Sequence, residues 1–299
     1  MSVMRVWSRI VVLPARMFSF LKISGYLRFG VTLLFLLFVL VAIEPLLARY
    51  VMHYPTLKMG AYGRLMAPSR EHILGTDQYG RDVLMVQLVG LKNSLLIGVF
   101  AGGLATIVST VVAIVAGYSG GRVDALLNSV INAVMVIPSL PILIAIASFV
   151  SVDLATTCLI IAVFGWAGSA RRLRAQILSL KERDYIDLAR VSGDGEVHIM
   201  FAEILPNVFP FIGVGFANSV MGAILTETGL RLLGLGPGLL ETLGAFLNRG
   251  LSFGAISLGH ANIVLAPSFF LILIFTAINF INAGAEQIFN PRLKRTTGT

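Results

Sequence analysis

Six stretches of this chain, at about residues 29–48, 93–118, 128–150, 154–171, 207–227 and 262–285, are apolar and almost free of charge. A bilayer core about 30 Å thick is crossed by about 20 such residues in a helix. Inside lipid every backbone N–H and C=O must be satisfied within the protein, which leaves only helices and closed barrels. Runs of this length are helical, so the chain is predicted to be an all-α polytopic membrane protein with six transmembrane helices. Composition agrees. Charged residues make up 13% and hydrophobic residues 57% of the chain, with a mean hydropathy of +0.87, whereas soluble domains carry about 25% charged residues. A soluble enzyme is excluded. The single cysteine, Cys158, leaves no internal disulfide, and His53, His72, His198 and His260 are too scattered to suggest a metal cluster.

Charge sets the expected orientation. The first span follows a basic stretch with Arg5, Arg9, Arg16, Lys22 and Arg28 and no acid. That stretch has no small-residue cleavage site, so the span reads as an anchor. With the basic end in the cytoplasm, six spans place both termini and residues 172–206 inside, and residues 49–92 and 228–261 outside. Lys plus Arg then number 15 inside and 8 outside, as the positive-inside rule requires. This bias accounts for the net charge of +8 without nucleic acid as a partner. The chain divides into a cytoplasmic N-terminal segment 1–28, a first helix with its outer loop 29–92, a five-helix core 93–286 and a cytoplasmic tail 287–299.

Within the spans, Gly98, Gly102 and Gly103, then Gly213, Gly215 and Gly222, suggest close helix packing, while Pro138 and Pro141 interrupt the third. Glu44, Glu227 and Glu286 fall near span ends, and asparagines supply most of the remaining polarity. An ion-coupled carrier needs a carboxylate or histidine in mid-membrane. None is expected here, so the driving force is expected to come from outside the membrane.

Residues Arg171–Pro206 form a polar stretch 36 residues long between the fourth and fifth spans, with six basic residues balanced by Glu182, Asp184, Asp187, Asp194, Glu196 and Glu203. From Leu178, the recurrence of Tyr185, Leu188, Ala189 and Ser192 at three- and four-residue spacing predicts a short amphipathic helix. Gly193 is its natural stop. A second helical stretch, about 196–204, leads to Pro206, where the chain is expected to re-enter the membrane.

Asp187-Leu188-Ala189, Gly193 and Ile204-Leu205-Pro206 resemble the Glu-Ala-Ala loop of ABC importer permeases. Asp187 replaces the usual Glu and Leu188 the first Ala. The block His72 to Leu84, with Gly75, Thr76, Asp77, Gly80, Arg81 and Asp82, is similar to the sequence before the second span of C-type permeases of dipeptide, oligopeptide and nickel importers. Ala116–Gly121 with Asp124, Leu233–Gly236 and Asn290-Pro291-Arg292-Leu293 extend the likeness, while Asn132 stands where many relatives carry an acid. The resemblance implies a non-catalytic subunit of the prokaryotic inner membrane. Its implied partners are a homologous B-type permease, two cytoplasmic ATPase subunits and an extracytoplasmic substrate-binding protein. It also implies that the 187–193 segment is a coupling helix on the ATPase, and that ATP and magnesium are held by the ATPases. The implied cargo is peptide, with oligosaccharides and nickel chelates carried by relatives.

Other motifs read more simply. Gly117-Tyr118-Ser119-Gly120-Gly121 has the spacing of a nucleophile elbow, but it follows a membrane span instead of a strand. Gly234, Gly236 and Gly238 suggest a turn, and the chain contains no Gly-x-x-x-x-Gly-Lys-Ser/Thr loop. Thr76 and Asp77 read as N-caps of a short helix from about Gln78. His260 and Asn262 are expected to be hydrated interfacial groups. Asn218 and Ser219, in the span after the polar loop, are the candidates for a translocation path.

Overall fold

The computed structural model describes residues 24–50, 56–149, 153–236 and 240–289. Arg5, Arg9, Arg16, Lys22, His53, Gly238 and the run from Asn290 to Arg295 lie outside the described residues. In chain order the helices are α1 (Gly25–Tyr50), α2 (Val83–Ser119), α3 (Gly121–Val136), α4 (Ser139–Phe149), α5 (Leu154–Gly165), α6 (Ala167–Lys181) and α7 (Asp184–Val191). There follow α8 (Glu196–His198), a π-helical turn (Ile199–Ile204), α9 (Leu205–Leu232), α10 (Leu243–Ser252) and α11 (Asn262–Phe289). The fold is all-α. Among the described residues there is no strand, only an antiparallel bridge between Thr76 and Asp82. Four helices are long and apolar enough to cross a membrane alone, and two bent pairs bring the number to six if each pair is one span.

The breaks follow from local sequence. α3 and α4 meet at 75° because Ile137 precedes Pro138, whose ring forces the preceding residue out of the helical region. Ile137 is extended at φ −65°, ψ 122°. The third span, expected over 128–150 with its prolines interrupting it, is therefore a broken pair. α5 and α6 bend by 45° around Trp166, and α6 runs on to Lys181, so most of the expected polar loop is helix. Nor does the chain start afresh at Pro206, since one helical run extends from Glu196 to Leu232. Proline lacks an N–H and clashes with the carbonyl four residues earlier. The wider π turn at Ile199–Ile204 lies immediately before Pro206 and accommodates that mismatch.

α2 is the axis of the molecule. Its 37 residues span about 55 Å at 1.5 Å per residue, so it starts ten residues before the expected 93. In lipid the hydrophobic effect does not drive helices together, and close packing of small residues takes its place. A Cβ on Gly102 would stand 2.7 Å from the Val220 backbone nitrogen of α9. At Gly117 it would meet Ile177 of α6 at 2.8 Å. α1 packs on α11 in the same way, with Gly30 against Ala277 and Ile281, and Gly284 against Leu27. The central cluster joins Leu88, Leu91 and Leu95 of α2 to Ile224, Leu243, Ile274 and Ile278. The expected close approach fails at Gly213, Gly215 and Gly222, where a Cβ would meet nothing within 4 Å.

Gly102→Ala is expected to destabilise the protein by about 1–3 kcal/mol, the usual cost of overpacking. Gly103→Ala, whose Cβ would lie 3.9 Å from Phe216, should change stability by less than about 1 kcal/mol. Unfolding in mixed detergent micelles compares the two directly.

Candidate functional site

At one end of the bundle, one fully buried side chain anchors α7. Ile186 is fully buried among Ala113 of α2, Leu173 and Ile177 of α6, Ile199 and Ile204 of the π turn and Val208 of α9. Ala189, one turn on, is half-buried against the same cluster. The buried face therefore differs from the expected one: Leu188 is 67% exposed and Tyr185 38%, while Ile186 carries the contact. Burial, and then the charge of Glu203, push the Tyr185 phenol above its ordinary value.

α7 ends as its glycine requires. Asp194 N–H donates to the Ala189 carbonyl and Gly193 N–H to that of Arg190, at 3.1 and 3.0 Å, the hydrogen bonds of a Schellman motif. Gly193 has φ +87° with open space around its Cα. Backbone conformation, not bulk, demands glycine there. Arg190 bridges Asp187 at 3.1 Å and Glu196 at 3.6 Å. Such exposed pairs contribute about 0–1 kcal/mol, so they orient the surface without fixing it. Asp187, Leu188 and Val191 stay open. Ile204 meets Ile186 in the buried cluster, whereas Leu205 and Pro206 simply begin α9.

The opposite end is built from residues 56–82 and 240–262. Thr76 and Asp77 do not cap a helix at Gln78; the helix begins at Val83, and its N-cap is Asp82, whose carboxylate accepts from Met85 N–H at 2.9 Å. Asp77 instead closes a turn, accepting from Tyr79 and Arg81 N–H at 2.9 and 3.0 Å. Its other oxygen accepts from Arg81 Nε at 2.8 Å. Arg81 Nη1 lies 3.0 Å from Glu241, which also pairs with Arg249. Thr76 Oγ1 donates to the Gly63 carbonyl and accepts from Met66 N–H, and His72 bonds Asp82 at 2.8 Å. Gly75 and Gly80 have φ +74° and +69°, and a Cβ on either would lie 2.4 Å from a backbone carbonyl oxygen. Asn262 donates to the Leu74 carbonyl at 2.7 Å, so it anchors this segment and is not simply the hydrated interfacial group expected. The whole motif is thus a buried lock between two segments remote in sequence.

Between the ends lies a cavity of about 250 Å³. It is bounded by α2, α4, α5, α6 and α9, and both Asn218 and Ser219 line it. Ser219 Oγ is 3.4 Å from Ser169 Oγ, which accepts from Arg172 Nη2 at 3.0 Å. Asn218 accepts from Asn282 of α11 at 3.0 Å. Sequence reasoning missed Ser169 and Arg172. The signal was the run Arg171-Arg172-x-Arg174, counted only as loop charge; α6 sorts it, with Arg171 bonded to Asn132 and Arg174 paired with Asp124 through two bonds. Ser119 ends α2 at a corner whose next two residues, Gly120 and Gly121, have φ +66° and +53°, with no strand leading into it.

The profile of the family described as binding-protein-dependent transport system inner membrane component matches residues 109–295. The chain belongs to that family. Its match takes in α7 and most of the helices around the cavity. Similar proteins include the dipeptide transport system permease protein of Bacillus subtilis (strain 168), 31% identical over 89% of this chain and 82% of that protein. The oligopeptide transport system permease protein of Mycobacterium tuberculosis (strain ATCC 25618 / H37Rv) is 34% identical over 86% of this chain and 87% of its own length. The glutathione transport system permease protein of Pectobacterium atrosepticum is 31% identical over 83% and 82%. Together with its apolar helices, the family makes the chain a multi-pass inner membrane permease component that works in a transport system with other subunits.

Truncating Arg81 to Ala would leave Asp77 and Glu241 short of their buried counter-charge, a loss of about 3–5 kcal/mol. Trypsin cleavage after the exposed Arg64 and Arg70 should then accelerate by about tenfold or more, because local opening controls cleavage. An unchanged cleavage rate would show that the lock does not hold the segment.

Proposed function

We propose that this chain is the C-type permease subunit of an ATP-driven importer of short peptides. It would form half of the pathway beside a homologous B-type permease, above two cytoplasmic ATPase subunits and beneath an extracytoplasmic binding protein. The peptide assignment rests on the names of similar proteins, whose cargoes are dipeptide, oligopeptide and glutathione, itself a tripeptide. The positive-inside bias supports placing α7 and both termini in the cytoplasm, with the 56–82 lock facing outward.

One observation carries the mechanism. α7 exposes Asp187, Leu188 and Val191 while Ile186 fastens it to α2, α6 and α9 at once. A partner that grips the exposed face moves three helices, and those three line the cavity. Closure of the ATPases around ATP and magnesium would displace α7 and alter access to the cavity at one end. The free energy comes from the different affinity of the nucleotide-bound ATPases for the two bundle states. With no phosphate-binding loop of its own, the chain depends on the ATPases for nucleotide and metal.

Uptake of radiolabelled trialanine by cells expressing the whole system is expected to survive a protonophore as long as ATP is maintained. Collapse with the proton gradient under those conditions would favour an ion-coupled carrier. Asp187→Lys should lower uptake by about tenfold or more, as loss of a central interface contact does, with capture of trialanine by the binding protein unchanged. Normal uptake in that variant would remove α7 from the coupling role.

A further inference from the structure

The cavity holds one charge. Among the residues that line it are Ser139, Ser169, Ser219, Asn218 and Thr226, and Arg172 is the only ionised one. No acid faces it. The two neighbouring arginines of α6 are occupied by α3: Arg171 donates to Asn132, and Arg174 grips Asp124 through Nε and Nη2, the latter at 2.6 Å. Arg172 has no acidic partner among the described residues, and its one hydrogen bond is the 3.0 Å contact of Nη2 with Ser169 Oγ. The guanidinium lies along α6 beside Gly168, with Nη1 3.9 Å from where a Cβ would stand there.

The arrangement has the chemistry of an anion site. A guanidinium presents five donors in a planar fork that suits a carboxylate. Here Ser169 uses one donor and holds the fork's direction, and Ser219, 3.4 Å from Ser169, offers a hydroxyl beside it. The cavity volume of about 250 Å³ is enough for a small residue with its terminal group.

We propose that Arg172, steadied by Ser169 and flanked by Ser219, binds the C-terminal carboxylate of cargo in the cavity. This rests on the peptide reading above, and the two can fail separately. Arg172 lies six residues beyond the bend at Trp166, on an element tied to α7 through Leu173 and Ile177. Movement of α7 would then reach the carboxylate site along one helix.

The test uses the assembled transporter in nanodiscs, with the buried Cys158 replaced by Ala and Ser219→Cys as reporter. Its rate of modification is measured with an anionic sulfonatoethyl and a cationic trimethylammonioethyl methanethiosulfonate. The expected anionic-to-cationic rate ratio is about tenfold higher with Arg172 than with Arg172→Gln, from the Coulomb interaction at a partly hydrated site. Arg172→Lys should keep most of that bias, and trialanine should slow modification while trialanine amide does not. A ratio indifferent to Arg172→Gln overturns the proposal, as does equal protection by the acid and the amide or no protection by either. A bias that vanishes when phosphatidylglycerol replaces phosphatidylcholine also overturns it, assigning Arg172 to lipid headgroups. The charge bias needs no transport, so failure of trialanine uptake by the unmutated complex would count against the peptide reading alone.

Discussion

The backbone of α2 can lie against that of α9 because Gly102 has no side chain, and the rest of the molecule is arranged around that contact. With a Cβ only 2.7 Å from Val220 N, any other residue would force the two longest helical runs apart. The approach brings Ile224 into the central cluster beside Leu91 and Leu95. One residue before Val220, it sets Ser219 at the cavity wall. Lipid provides no hydrophobic force between helices, so this fit has to be supplied by shape. Gly117 against Ile177 repeats the device nearer the α7 end, and the two contacts hold α6 and α9 on one axis.

Stiff and compliant parts are separated along the chain. α2 and the run from Glu196 to Leu232 are uninterrupted over 37 residues each, with the π turn absorbing Pro206. The breaks are confined to α3–α4 and α5–α6, and both bent pairs contribute walls of the cavity. In the proposed transporter a pull on α7 would be carried by the continuous helices and taken up at the bends. The opposite end is held by ionic and polar bonds instead. Arg81, Asp77, Glu241 and Arg249 tie the start of α2 to the segment leading into α10, and Glu227 joins Arg231 and Thr242 at the end of α9. Groups buried this deeply have to find each other, because an unpaired charge there costs several kcal/mol.

How much of this was legible in the sequence depended on the range of the interaction. Hydropathy gave the all-α class and the six apolar stretches, since solvent acts on each stretch separately. Gly193 was readable as a helix stop because a Schellman turn is local. Pro138 marked the third span as interrupted, and the break follows locally from the extended Ile137 before it. The face of α7 was misread. Leu188 fits the spacing of an apolar stripe as well as Ile186 does, and only the neighbouring helix ends select Ile186. Thr76 and Asp77 were recognised as backbone caps, yet the partners that decide which backbone they cap, Gly63 and Arg81, come from a turn that spacing does not reveal. Arg172 was unreadable for a related reason. Three arginines in four residues look alike until α3 takes two of them.

The claim at the centre is that α7 is the surface through which this permease component is driven. A photo-crosslinking amino acid placed at the exposed Leu188, in the native membrane with the other subunits present, tests it most directly. The expected result is one principal adduct, to a protein that binds ATP, with none from the same probe at the buried Ile186. Adducts only to lipid or to another copy of this chain would contradict the account.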